Sequence, residues 1–86
     1  MTKAARILVV DDEPGMLRAV ERVLTGQHNV VGTRHSRDAL SIADEFHPDL
    51  AIVDIRMPDF DGFELMAQLF RQFNFGIART RGGWLP

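Results

Sequence analysis

The chain has no cysteine among its 86 residues, which excludes disulfide staples and thiolate metal sites and fits a reducing compartment. No apolar run exceeds a few residues, so a membrane-spanning helix is not expected. The opening Met1-Thr2-Lys3-Ala4-Ala5-Arg6 is followed by only four apolar residues, Ile7–Val10, and then by acids. That pattern does not make a secretory leader. Repeats and low-complexity segments are also missing. At 9.7 kDa there is room for one domain, and a chain of this size buries only about 60–65% of its unfolded surface. Hydrophobic content of 45% with 26% charged residues is nevertheless that of a folded domain, so the expectation is one small intracellular unit in the cytoplasm.

Acidic residues are missing from the C-terminal end. All twelve acids fall within residues 1–70, against seven bases, a balance of −5. Residues 71–86 hold Arg71, Arg79 and Arg81 and no acid. An acidic body argues against nucleic-acid binding, and a lone Arg81-Gly82-Gly83 triplet is too little to argue for it.

What the sequence does contain is an alternation of buried strands and amphipathic helices. Ile7-Leu8-Val9-Val10 is a continuous β-branched run of the kind buried on both faces in a parallel sheet. Pro14 suits a first helical turn. Met16, Leu17, Val20, Val23 and Leu24 follow at helical spacing, and Gly26 stops the helix. Val30-Val31 marks a second, weaker strand. Ser36 is a candidate N-cap for a helix with Ala39, Leu40, Ile42, Ala43 and Phe46 on its apolar face, ended by His47-Pro48. Leu50–Val53 reads as a third buried strand. After the turn-rich Met57–Gly62, the residues Phe63, Leu65, Met66, Leu69 and Phe70 form the stripe of a third helix. The order βαβαβα calls for a parallel α/β sheet. Beyond residue 72 the pattern breaks. Phe73, Phe75 and Ile77 alternate as in a short strand, but Gly76, Arg79 and Arg81 do not suit one buried on both faces. The expected division is therefore a truncated domain over 1–72 and a basic, aromatic tail over 73–86. The three histidines, 28, 35 and 47, share no ligand spacing and read as surface residues.

Two of the apolar strands end in carboxylates, Asp11-Asp12 after the first and Asp54 after the third. Ligands of parallel α/β sheets sit at the carboxyl ends of the strands. If these two strands are neighbours, three like charges meet in one place and demand a shared proton or a cation. Hard oxygen donors favour Mg²⁺. A carboxylate beside such a metal can act as nucleophile in phosphoryl transfer. The plainer reading is that these acids only cap strand ends and helix starts.

Val9-Val10-Asp11-Asp12-Glu13-Pro14 and the stretch Leu50-Ala51-Ile52-Val53-Asp54-Ile55-Arg56-Met57-Pro58-Asp59-Phe60-Asp61-Gly62 together resemble the receiver domain of bacterial two-component response regulators. The resemblance runs from about residue 6 to about residue 72. It implies a flavodoxin-like sheet of strand order 2-1-3-4-5, present here only in part, with three strands and three helices. It implies that Asp54 accepts a phosphoryl group from a histidine kinase or phosphotransfer protein. It further implies Mg²⁺ held by Asp12, Asp54 and the backbone carbonyl of Arg56, with Asp11 assisting through water. Glu13 is then a loop residue near the metal, and Pro58 and Gly62 shape the loop and start the third helix.

Two family features are reduced or missing. The switch hydroxyl at the end of the fourth strand has one candidate, Thr80. The lysine at the end of the fifth strand has no counterpart, since Lys3 precedes the first strand. A phosphoacceptor with an impaired switch is the expected function. The alternative is a non-catalytic interaction module derived from a receiver. A phosphatase of the haloacid dehalogenase type is disfavoured, because Arg56 stands where that chemistry needs a second aspartate. With the fold cut short, Leu50–Val53 is expected to be an unprotected edge, and a homodimer or larger assembly to follow from it.

Overall fold

The computed structural model of the chain describes residues 4–54, 62–72 and 76–80, the last of these by their backbone. Four strands, β1 (Arg6–Val10), β2 (Asn29–Thr33), β3 (Leu50–Asp54) and β4 (Gly76–Thr80), pair in the order β2-β1-β3-β4. Every pairing is parallel. Three helices connect them: α1 (Pro14–Thr25), α2 (Ala39–Phe46), which follows a single 3₁₀ turn at Ser36–Asp38, and α3 (Gly62–Gln72). None of the described helices is long and apolar enough to cross a membrane.

The central place of β1 follows from its side chains. Ile7, Leu8, Val9 and Val10 are all buried, so both faces of the strand must be covered. Side chains alternate between the faces of a sheet. Leu8, Val10, Ala51 and Val53 share one face and pack with Ala39 and Ala43 of α2 and Leu65 and Leu69 of α3. Ile7 and Val9 lie on the other face with Leu17 of α1, joined by the half-buried Val20, Leu24, Val30, Leu50 and Ile52. The alanines of α2 let that helix approach the sheet closely. Three residues of the apolar stripe expected in α3, Phe63, Met66 and Phe70, have side chains outside the described set.

The fourth strand corrects one expectation. β3 is not an edge, because β4 pairs along it from Leu50↔Gly76 to Asp54↔Thr80. Strand pairing satisfies backbone N–H and C=O groups and asks for extended chain more than for particular side chains. Gly76 and Arg79, unsuited to a strand covered on both sides, are tolerated in an outer strand. The α/β class and the parallel sheet stand, with one strand more than the three expected.

Helix boundaries also depart in detail. Gly26 does follow α1, but in a right-handed conformation (φ −63°), and the helix closes through the amides of Gln27 and His28 donating to the Leu24 carbonyl. Ser36 does not cap α2. It is buried at the start of the 3₁₀ turn, and α2 begins after Asp38 with no side-chain cap. His47 ends α2 in the left-handed region (φ 55°), its amide donating to the Ala43 carbonyl at 3.0 Å. His28 is half-buried and structural, its Nδ1 accepting the Ala5 amide at 2.9 Å.

At the amino ends of the strands, Arg6 ties β1 to both α2 and β3. Its amide donates to Asp49 Oδ2 at 2.8 Å, and its carbonyl accepts the Asp49 amide at 2.7 Å. Its guanidinium donates to the Phe46 carbonyl and lies 4.2 Å from the centre of the Phe46 ring. A cation at the last carbonyls of α2 is well placed against the helix dipole.

Where α1 crosses β2 the approach is close enough to require glycine. A Cβ on Gly32 would come within 2.7 Å of both Leu17 Cδ1 and Glu21 Oε2. Glu21 can swing away, but Leu17 is packed in the core. Replacing Gly32 by alanine is expected to cost about 1–2 kcal/mol through overpacking, measured as a lower urea midpoint at unchanged slope. A midpoint equal to or above that of the parent chain would contradict this.

Candidate functional site

Parallel pairing puts the carboxyl ends of β1 and β3 at the same edge of the sheet. The register matches Val10 with Val53, so Asp11 leaves β1 at the level where Asp54 ends β3. Both acids are buried, at 1% and 0% exposure, while Asp12 is half-buried. One carboxylate oxygen from each of Asp11, Asp12 and Asp54 lies within 4.8 Å of the others. The convergence expected from strand ends alone is therefore what the fold produces.

Several bonds hold the acids in place. The Asp11 amide donates to the Thr33 carbonyl at 3.1 Å, extending the β1–β2 ladder one residue beyond the strand. Asp11 Oδ1 accepts the Glu13 amide at 3.0 Å. Thr33, itself buried, uses Oγ1 to accept the His35 amide at 3.1 Å and so turns the chain after β2. That turn carries Arg34, whose Nε lies 3.4 Å from the Asp12 carbonyl. One exposed positive charge therefore stands beside the acidic edge.

Glu13 does more than the loop position expected of it. It is the N-cap of α1, with its carboxylate accepting the amides of Gly15 at 2.9 Å and Met16 at 2.7 Å. Sequence reasoning missed this because Ser, Thr, Asp and Asn are the usual caps. The available signal was an acid directly before proline at the first helical position. Gly62 opens α3 as expected. Arg56 and Pro58 lie outside the described residues. Thr80 is the residue of β4 paired with Asp54.

Two unit charges about 5 Å apart repel by roughly 3–4 kcal/mol at an effective dielectric constant of about 20. Three of them at one buried edge form a donor set that calls for a cation. All the donors are carboxylate oxygens, which suit a hard divalent ion such as Mg²⁺. By donor chemistry and proximity, the residues present fit that group.

Over residues 7–78 the chain matches the family model of the response regulator receiver domain. It belongs to that family, and is thus a signalling domain of two-component systems with a phosphoacceptor role implied. Relatives by sequence include the transcriptional regulatory protein TcrA of Mycobacterium tuberculosis, 41% identical over 68 residues that make up 78% of this chain and 27% of TcrA. The transcriptional regulatory protein GlrR of Escherichia coli is 35% identical over 78% of this chain and 15% of GlrR. The chain thus spans about a quarter or less of these two relatives.

Among solved structures, the N-terminal domain of a response regulator receiver protein from Methanoculleus marisnigri superposes with a TM-score of 0.85. That match covers 95% of this chain and 70% of the other, at 23% identity, and speaks to the fold alone. The BeF3-activated N-terminal receiver domain of RstA from Klebsiella pneumoniae gives a TM-score of 0.79 at 27% identity, covering 86% of this chain and 64% of that one.

Crowding of like charges has a measurable cost. In metal-free solution, replacing Asp54 with the isosteric asparagine is expected to raise stability by about 1–2 kcal/mol, since one charge leaves a buried repulsive set. Thermal melting in the presence of a chelator checks this, and an unchanged or lowered melting temperature would contradict it.

Proposed function

We propose that this chain accepts a phosphoryl group on Asp54 from a histidine kinase or phosphotransfer protein in the cytoplasm. The reading is carried by one observation, the convergence of Asp11, Asp12 and Asp54 at the carboxyl edge of the sheet. A carboxylate oxygen of Asp54 attacks phosphorus, the bond from phosphorus to the donor imidazole breaks, and its electron pair returns to the imidazole nitrogen. Asp12 and Asp54 would hold Mg²⁺ together with the backbone carbonyl of Arg56, with Asp11 assisting through water. When bound, the ion offsets negative charge that otherwise builds up between the carboxylates and the incoming phosphoryl oxygens.

The residues around Asp54 supply position and a dry floor. Val53 and Val10, both at 0% exposure, keep water from beneath the reacting carboxylate and hold the two strand ends in step. Pairing of Thr80 with Asp54 supports Thr80 as the hydroxyl that responds to the phosphoryl group. A weakened conformational response is part of this reading, because Thr80 stands between the charged Arg79 and Arg81.

Intact mass after incubation with phosphoramidate, with and without Mg²⁺, tests the acceptor. The expected result is a gain of one phosphoryl group that needs Mg²⁺ and is absent in Asp54→Asn. No gain in a chain shown by circular dichroism to be folded would overturn the reading.

A second reading, assembly rather than phosphotransfer, is favoured by an apolar groove between α1 and β3. Ala19, Val20, Val23, Leu24 and Ile52 line it, and Val23 is 77% exposed. Among the described residues only α1 packs on that face of the sheet, and the outer side of β4 is unpaired. A second copy meeting these surfaces gives a homodimer. Sedimentation at micromolar concentrations is expected to show the dimer, and Val23→Glu to weaken it. A folded monomer across that range would overturn this reading.

A further inference from the structure

We propose that Glu13 is a positioning residue of the acidic site, holding Asp11 from the side of α1 without ligating the metal. The inference rests on the reading of Asp11, Asp12 and Asp54 as a divalent-cation site. It reverses the simpler idea that a third consecutive acid adds a third ligand.

Several bonds converge on Glu13. Its amide donates to Asp11 Oδ1 at 3.0 Å. Its carbonyl accepts the Leu17 amide at 3.0 Å, the first helical bond of α1. Its two carboxylate oxygens accept the amides of Gly15 and Met16, at 2.9 and 2.7 Å. The side chain is thus folded back onto the helix start, where a negative charge meets the positive end of the dipole. Gly15 makes room for it, since a Cβ there would stand 3.3 Å from both carboxylate oxygens.

The consequence for Asp11 is mechanical. Its backbone is tied to β2 through the Thr33 carbonyl, which fixes where the residue sits. Its carboxylate is tied through Oδ1 to the Glu13 amide, which fixes how the group is turned. That amide keeps its place only while the Glu13 side chain anchors the short turn between β1 and α1. Proline at 14 restricts the turn further. Partners that orient a metal-binding side chain commonly change affinity by 10–100-fold when removed. Here the lever is a helix cap, and a capping residue need not carry charge.

Calorimetric Mg²⁺ titration of the full chain separates the possibilities, using Glu13→Ala, Glu13→Ser and His28→Ala beside the parent. Glu13→Ala is expected to weaken Mg²⁺ binding about tenfold. Glu13→Ser is expected to recover most of that loss, because its hydroxyl caps the same amides without a carboxylate. His28→Ala loses the bond to the Ala5 amide at the far end of the sheet. It is expected to melt earlier and bind Mg²⁺ like the parent, which separates positioning from mere destabilisation. If serine fails as badly as alanine, Glu13 acts by ligation or charge and the proposal falls. Equal affinities in the parent and Glu13→Ala would also overturn it. If the parent binds no Mg²⁺, the reading of the cation site fails, and amide hydrogen exchange at residue 13 decides alone. Slow exchange in the parent and Glu13→Ser with fast exchange in Glu13→Ala supports the tether, while equal exchange in all three overturns it.

Discussion

The register between β1 and β3 is the constraint on which the rest of the molecule depends. Val10 opposite Val53 sets both the packing of the central sheet and the meeting of the acids that follow these residues. A slip of one residue in a parallel pair would turn every side chain of one strand to the opposite face. Leu8, Val10, Ala51 and Val53 would then no longer share a core, and Asp54 would leave the level of Asp11. Burial of the aliphatic residues thus pins the acidic edge, since the cost of exposing several of them far exceeds the repulsion among three carboxylates.

The two ends of the sheet are built to opposite purposes. At the amino edge, Arg6, Asp49, Phe46, Ala5 and His28 form a set of satisfied contacts that closes the molecule. The Asp49 carboxylate accepts a backbone amide there, and helix α2 ends on a cation. At the carboxyl edge like charges are gathered, with backbone amides donating to Asp11 and to the Glu13 cap. Such an arrangement is kept for what it can hold rather than for the stability it brings. The family to which the chain belongs uses that edge for phosphoryl transfer, and the geometry here is compatible with the same use.

Much of this was legible in the residues because it rests on local pattern. The β-branched run of Ile7–Val10, the helical spacing of Leu17, Val20 and Leu24, and the His47-Pro48 stop each report a local preference that the tertiary structure reinforces. Asp11, Asp12 and Asp54 could be picked out because each follows an apolar strand. The misreadings share a different cause. Ser36 has the chemistry of a cap, but burial against the core placed it in a 3₁₀ turn instead. His28 gave no sign that its ring would accept a backbone amide from a residue 23 positions away. Glu13 is an uncommon cap, so residue type alone does not point to it. The pairing of β4 along β3 is hidden in the sequence because Gly76 and Arg79 obscure the weak alternation of Phe73, Phe75 and Ile77.

The sequence by itself determined the α/β class, the parallel sheet, the approximate limits of most elements and the identity of the three acids, all of which follow from hydrophobic periodicity and residue type within short windows. Only the tertiary structure decided that β4 closes the side of β3, that Thr80 stands in register with Asp54, and that Glu13 joins α1 to Asp11. Those three facts depend on backbone hydrogen bonds and helix-end geometry. Side-chain pattern does not encode a backbone partner, so strand neighbours and capping bonds become visible only once the chain has folded.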